Sequence, residues 1–143
     1  MPSAFISAVR GDRDQRLSGR PSEPLPLGPR GENYARRRLE KQGWNFVTSN
    51  WYCLHGELDL VMKDGKELVF IEVKTRRGDY SGRAEEGISV AKRRKLLKAG
   101  DWFIAKHPEF QDSIWRIDLI AITVSPSNEV IRFSHIVNAV VTG

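Results

Sequence analysis

The feature that most constrains this chain is Asp64-Gly65, set between Gly56-Glu57-Leu58-Asp59-Leu60-Val61-Met62 and Glu67-Leu68-Val69-Phe70-Ile71-Glu72-Val73-Lys74. A tight hairpin turn of the primed type needs positive φ, which Gly accepts freely and Asp tolerates. The pair predicts a β-hairpin with a two-residue loop, or with a four-residue loop at Lys63-Asp64-Gly65-Lys66 centred on the same pair. Both place Leu60 opposite Val69 and Asp59 opposite Phe70. Side chains alternate along a strand, so Asp59 and Glu72 share a face as diagonal neighbours, with Cα atoms about 7–8 Å apart. Glu57 then lies directly opposite Glu72, and Lys74 follows two residues on. A one-residue slip would send Asp59 to the other face, so the turn decides the chemistry.

Charged groups converging at one end of strands otherwise built of Leu, Val, Ile and Phe are costly without a purpose. Two neighbouring carboxylates repel unless a cation lies between them, and hard oxygen ligands suit Mg²⁺ or Mn²⁺ rather than zinc. The competing account is a solvent-exposed strand end with an incidental Glu/Lys pair.

The chain has 143 residues, room for one domain with a single core, and its 40% hydrophobic content is ordinary for a soluble protein. Its formal net charge of +5 and pI near 9.6 favour polyanionic partners without identifying them. Cys53 is the sole cysteine, which excludes an internal disulfide and a cysteine metal cluster. No run is apolar enough to span a membrane, and Arg10 and Asp12 interrupt the place of a signal peptide's apolar stretch, so a cytoplasmic protein is expected.

Residues 1–28 read as a disordered N-terminal tail closed by Pro21-Ser22-Glu23-Pro24-Leu25-Pro26, leaving 29–143 as the folded domain. Pro29-Arg30-Gly31 opens a helix expected to run to about Gln42, with Gly43 just past its end. Glu32, Ala35 and Leu39 fall on its apolar face, away from Arg36, Arg37 and Lys41. An inward carboxylate needs a partner, which a metal at Asp59 and Glu72 would supply; a first-turn glutamate favoured by the helix dipole is the other account. Trp44 to Cys53 suggests the first strand, with an irregularity near Ser49-Asn50. His55 at the hairpin entry reads as a polar loop residue.

After Lys74, Thr75 to Arg83 reads as a basic loop with an aromatic, Tyr80, and two glycines, a composition that can carry nucleic-acid contacts. Ser89 to about Lys106 reads as a second helix, weakened by Gly100. Lys92-Arg93-Arg94-Lys95 spans all sides of it, so at most two of these cations can face one bound backbone. A solvated face is the usual meaning of such a run; its closeness to the motif favours phosphate contact. Ile114 to Val124 is the clearest buried strand, with Arg116 and Asp118 as an ion pair at its start, and Val130 to Val141 supplies a last strand.

Asp59 with Glu72-Val73-Lys74 resembles the PD-(D/E)XK nuclease superfamily. The chain is most similar there to the YraN-like family of small bacterial proteins, themselves similar to archaeal Holliday junction resolvases. The resemblance covers roughly Gly31 to Ala139 and rests on Gly31-Glu32 with Ala35, Gly56 to Leu60, Val69 to Arg76, Lys92 and Arg116 to Ile120; it departs where Leu58, not Pro, precedes Asp59. It implies an α/β, restriction-endonuclease-like αβββαβ core, a mixed central sheet flanked by helices. It implies Asp59, Glu72, Lys74 and Glu32 as catalytic residues, with Mg²⁺ or Mn²⁺ held by Asp59, Glu72 and Glu32. The expected function is metal-dependent hydrolysis of DNA phosphodiester bonds, on branched or repair and recombination intermediates, with Arg76, Arg77, Lys92, Arg93 and Arg94 on the nucleic acid. A non-catalytic nucleic-acid-binding module of the same fold is the alternative. A homodimer or a repair or recombination partner stays open.

Overall fold

The computed structural model describes residues 27–78 and 87–140. The expected tail lies outside them except for its last two residues, and so do Asp79 to Arg83 of the expected basic loop. The elements run α1 (Leu27–Lys41), β1 (Asn45–Cys53), β2 (Gly56–Asp64), β3 (Glu67–Arg77), α2 (Val90–Lys106), a 3₁₀ turn at Pro108–Phe110, β4 (Trp115–Val124) and β5 (Val130–Ile136). This is the expected αβββαβ order with a final strand. The five strands lie in the order β1-β2-β3-β4-β5. Only β3 and β4 are parallel; the other neighbours are antiparallel. The long connection through α2 is what lets β4 return parallel to β3.

Both faces of the sheet are buried, which is why β3 and β4 read as near-continuous apolar runs. On one face α1 packs Ala35 and Leu39 against Leu60, Met62, Val69, Ile71, Ile120 and Ile122. On the other, Leu96, Ala99 and Phe103 of α2 cover Val61, Leu68, Phe70, Ile117 and Leu119.

Helix α1 starts at Leu27, before the expected Pro29, because a proline in the first turn removes an N–H that has no intrahelical acceptor anyway. It ends as expected: Gly43 takes φ 95°, its N–H reaches the Glu40 carbonyl at 3.0 Å, and Trp44 N–H reaches the Leu39 carbonyl at 3.1 Å. Helix α2 is capped by the Ser89 hydroxyl, which accepts from Lys92 N–H at 3.2 Å. Gly100 belongs in it for a reason of packing. A Cβ there would stand 2.7 Å from Trp115 Cζ3 and 3.0 Å from Phe70 Cε2, so its absence sets how closely α2 approaches the sheet.

The hairpin forms, but its register differs from expectation by two residues. Asp64 pairs with Glu67, Lys63 with Leu68 and Leu60 with Ile71, so the loop is Gly65-Lys66 and Asp64 belongs to the strand. Of the turn residues only Gly65 takes positive φ, 63°. A turn with Gly in its first central position needs left-handed backbone there alone, whereas the Asp64-Gly65 loop would have required it of Asp64 too. A shift of two preserves side-chain parity, so the acidic face survives while its pairs change.

Two other boundaries move. Thr75, Arg76 and Arg77, expected in a loop, extend β3 opposite Ile122, Thr123 and Val124. The last strand stops at Ile136 rather than Val141, although Ala139 N–H still reaches the Ile117 carbonyl at 2.7 Å. In β1 the register slips between Phe46 and Thr48, and Asn50 has φ 50°, close to the expected irregularity.

Candidate active site

The β2–β3 ladder is last paired at Leu60 and Ile71. Asp59 and Glu72 stand together just past that last pair, and the expected pairing of Glu57 with Glu72 does not form. There the Val73 N–H donates to Asp59 Oδ2 at 3.0 Å, so a side chain takes the place of a ladder carbonyl. This contact fixes the Asp59 carboxylate against the backbone beside Glu72. Glu72 itself is buried, and its Oε1 has no hydrogen-bond partner. Its Oε2 lies 3.6 Å from Lys92 Nζ of α2. Lys74 Nζ donates to the Gly87 carbonyl at 2.5 Å.

Glu32 reaches the same cluster from the first turns of α1. The helix comes this close because Gly31 is seated on Thr75, where a Cβ would fall 1.9 Å from Thr75 Oγ1. Asn50 then bridges two carboxylates, its Nδ2 donating to Glu32 Oε1 and Glu57 Oε2 at 2.9 Å each.

Electrostatics record the crowding. Burial pushes Glu32 from 4.5 up to about 7; the Asn50 hydrogen bond opposes it, and the charges of Asp59, Glu57 and Glu72 add to it. Burial, then the charge of Asp59, raises Glu72 from 4.5 to about 7 against the pull of Lys92 and Lys74. Asp59 is raised by burial too, though the Val73 N–H restrains it. At the outer edge, the charge of Glu57 and a hydrogen bond to it raise the Tyr52 hydroxyl.

These residues suit a hard divalent cation. Magnesium is commonly held by one or two carboxylates plus water, and Asp59 and Glu72 face one another with a buried oxygen of Glu72 unpartnered. Such an oxygen costs stability until a cation or donor meets it. Among the described residues no three Asp, Glu, His or Cys side chains converge to grip an ion by themselves. Glu32, expected as a third ligand, is tied to Asn50.

Of the expected nucleic-acid residues, Arg76, Arg77, Arg93 and Arg94 are all exposed. Arg77 is bonded to the Asn128 side chain, and Arg93 Nε donates to the Ile88 carbonyl at 2.9 Å, bracing the approach to α2. Lys92 is inside the site rather than outside it. Arg116 and Asp118 form a structural unit: Asp118 is wholly buried and accepts from Arg116 Nε at 2.9 Å, His135 Nε2 at 2.8 Å and Asn138 N–H at 2.9 Å. Sequence reasoning missed Asn50. Its one signal was an Asn, tolerant of left-handed backbone, within an otherwise alternating strand.

The model of the uncharacterised protein family UPF0102 matches residues 31–122. Curated relatives bearing that family's name include a protein of Roseiflexus castenholzii, 40% identical over 114 residues that cover 80% of this chain and 92% of the relative. One from Bifidobacterium longum is 36% identical over 118 residues, 81% of this chain and 94% of the relative. One from Frankia casuarinae is 39% identical over 110 residues, 77% and 92%.

Proposed function

The chain belongs to the uncharacterised protein family UPF0102, and we propose that it is a metal-dependent endonuclease of the PD-(D/E)XK kind that hydrolyses DNA phosphodiester bonds. The observation that carries this reading is the Asp59–Glu72 pair, facing across the end of a hairpin ladder with a buried Glu72 oxygen unpartnered and two lysines beside it. Neither a solvated strand end nor a packing site calls for that set of groups.

In this reading Asp59 and Glu72 hold Mg²⁺ or Mn²⁺, with Glu32 joining through water. When bound, the ion would lower the pKa of a coordinated water and offset negative charge at the phosphorus. The Val73 N–H keeps Asp59 oriented, and Lys92 compensates the charge of buried Glu72. Lys74, two residues beyond Glu72 and on the same face of the motif strand, orients the attacking water and meets the developing charge on phosphate oxygen. Its bond to the Gly87 carbonyl holds the ammonium at the site until substrate arrives. Glu57, tied to Asn50, steadies the acidic cluster without being a ligand.

The test is cleavage of linear, single-stranded, flap and four-way DNA with Mg²⁺ or Mn²⁺. Cleavage is expected, and Asp59→Asn or Glu72→Gln abolishes it together with metal binding by calorimetry. Lys74→Ala loses cleavage and keeps the metal, while Glu57→Gln retains measurable activity. Binding of DNA with no cleavage and no metal uptake would instead establish the non-catalytic binding module; the want of a third converging ligand among the described residues is the observation on its side.

A further inference from the structure

Helix α2 carries a feature that the acidic cluster does not use. Lys95, Lys98, Trp102 and Lys106 recur at i, i+3, i+7 and i+11, which places them on one face of a helix within an arc of about 80°. That face flanks the buried side of α2 and is open: the three lysines are exposed, and Trp102 is 39% exposed. Lys92, one turn before Lys95, borders the same face and ends on Glu72. Arg93 is on the far flank, held to the Ile88 carbonyl.

Beside this face lies the connection between β1 and β2. Lys95 approaches Gly56, the His55 ring is 5.8 Å from Trp102, and Lys106 Nζ stands 5.6 Å over the Trp102 ring. Between α2 and the end of β1 is an open groove of about 460 Å³ whose walls include Tyr52, Leu54, Trp102 and Lys106. Tyr52 is 70% exposed and Leu54 87% exposed. Tyr52 is the ladder partner of Glu57 on β2.

Exposed tryptophan and tyrosine beside a row of lysines that outnumbers Asp101, the acid of the same helix, match a polyanion that also offers flat apolar faces. A duplex hides its bases; a single strand presents them. Lysines in line supply backbone neutralisation, and aromatic rings stack bases without regard to sequence. The span from Lys92 to Lys106 is about 21 Å, the length of about six stacked nucleotides.

We propose that this face of α2, with Trp102 and Tyr52 as stacking platforms and Lys95, Lys98 and Lys106 as phosphate contacts, is a track for single-stranded nucleic acid leading to the Asp59–Glu72 site. The track deepens the nuclease reading, since it makes the substrate a nucleic acid with an unpaired segment. Its binding needs neither metal nor turnover, so the two can fail separately.

The experiment is fluorescence anisotropy of a labelled 12-residue oligothymidylate with the full chain in EDTA, against a duplex of equal length and an abasic strand of equal charge. Wild type is expected to bind the oligothymidylate at least about fivefold more tightly than the abasic strand, the lower end for one stacked base. Trp102→Ala should erase that difference and Trp102→Phe keep part of it. Replacing Lys95 and Lys98 with Gln should weaken both strands alike and flatten the salt dependence by up to about 0.9 per lost contact on a log scale. Equal affinity of wild type for the two strands, or a preference for duplex, overturns the proposal whatever the variants do. A dimer by light scattering that Trp102→Ala dissociates, with oligonucleotide binding unchanged, would make the groove a self-association surface and likewise overturn it. Cleavage without this preference would leave the nuclease and remove the track; the preference without cleavage would do the reverse.

Discussion

Asn50 shows how much a single residue can hold together in this site. It occupies left-handed backbone at φ 50° while its amide joins Glu32 to Glu57. An alanine there would meet the steric cost of that backbone, about 1–2 kcal/mol, and would leave two crowded carboxylates without their shared donor. Asn50→Ala is expected to lower stability by about 2 kcal/mol in urea unfolding, and Asn50→Gly to recover about half, since glycine accepts the backbone but restores no hydrogen bond. Equal losses would mean that the backbone is not what Asn50 supports. Both variants should lose cleavage more than they lose DNA binding, because Glu32 would no longer be held at the cluster.

Among the elements, the two helices are positioned by glycines rather than by their apolar stripes alone. At Gly100 helix propensity and packing oppose each other. Alanine would gain about 1 kcal/mol as a helix former, but its Cβ would meet Trp115 at 2.7 Å, and overpacking of this kind costs about 1–3 kcal/mol. Gly100→Ala is therefore expected to be net destabilising, read as a lower denaturant midpoint, and pairing it with Trp115→Phe should recover part of the loss. Gly31 plays the corresponding part for α1. Gly31→Ala would force the helix away from Thr75, carry Glu32 with it, and cut cleavage while leaving the binding of single-stranded oligonucleotide intact.

For the whole molecule, the acidic active site has a counterpart in the Asp118 cluster, which ties the β2–β3 turn to β4 and β5. Arg116 joins Asp118 to Glu67 and to Asp64, and His135 and Asn138 complete the shell. Burial pushes the Asp118 carboxyl up, but hydrogen bonds from His135, Arg116 and the Asn138 N–H outweigh it and hold the group below its ordinary 3.8. A carboxyl depressed by folding stabilises the native state above its unfolded value, and that contribution is lost as pH falls through the folded one. Stability should thus drop steeply below pH 3.8. Asp118→Asn should cost about 3 kcal/mol at pH 7, because it leaves a partly buried arginine short of its partner, and should make the acid limb shallower. Urea unfolding at pH 7 and pH 3 measures both.

What the sequence determined by itself was local and periodic. The αβββαβ order, the Gly43 helix end, the Ser89 start, and the sharing of one face by Asp59, Glu72 and Lys74 all follow from short-range rules: caps, turn residues and a period of two. The side-chain parity survived a wrong turn because the error was two residues, which a period of two cannot register. The tertiary structure decided the rest. Which residue of Asp64-Gly65-Lys66 took the positive φ depended on where Leu68 and its successors met β4, and that choice moved the pairs by two residues and left Asp59 and Glu72 just past the end of the ladder. Asn50 between Glu32 and Glu57, Lys92 on Glu72, and Gly31 against Thr75 join residues 7 to 44 positions apart along the chain. No period relates them. They meet because two helices pack on opposite faces of one sheet, and only that packing brings their side chains to the same end of it.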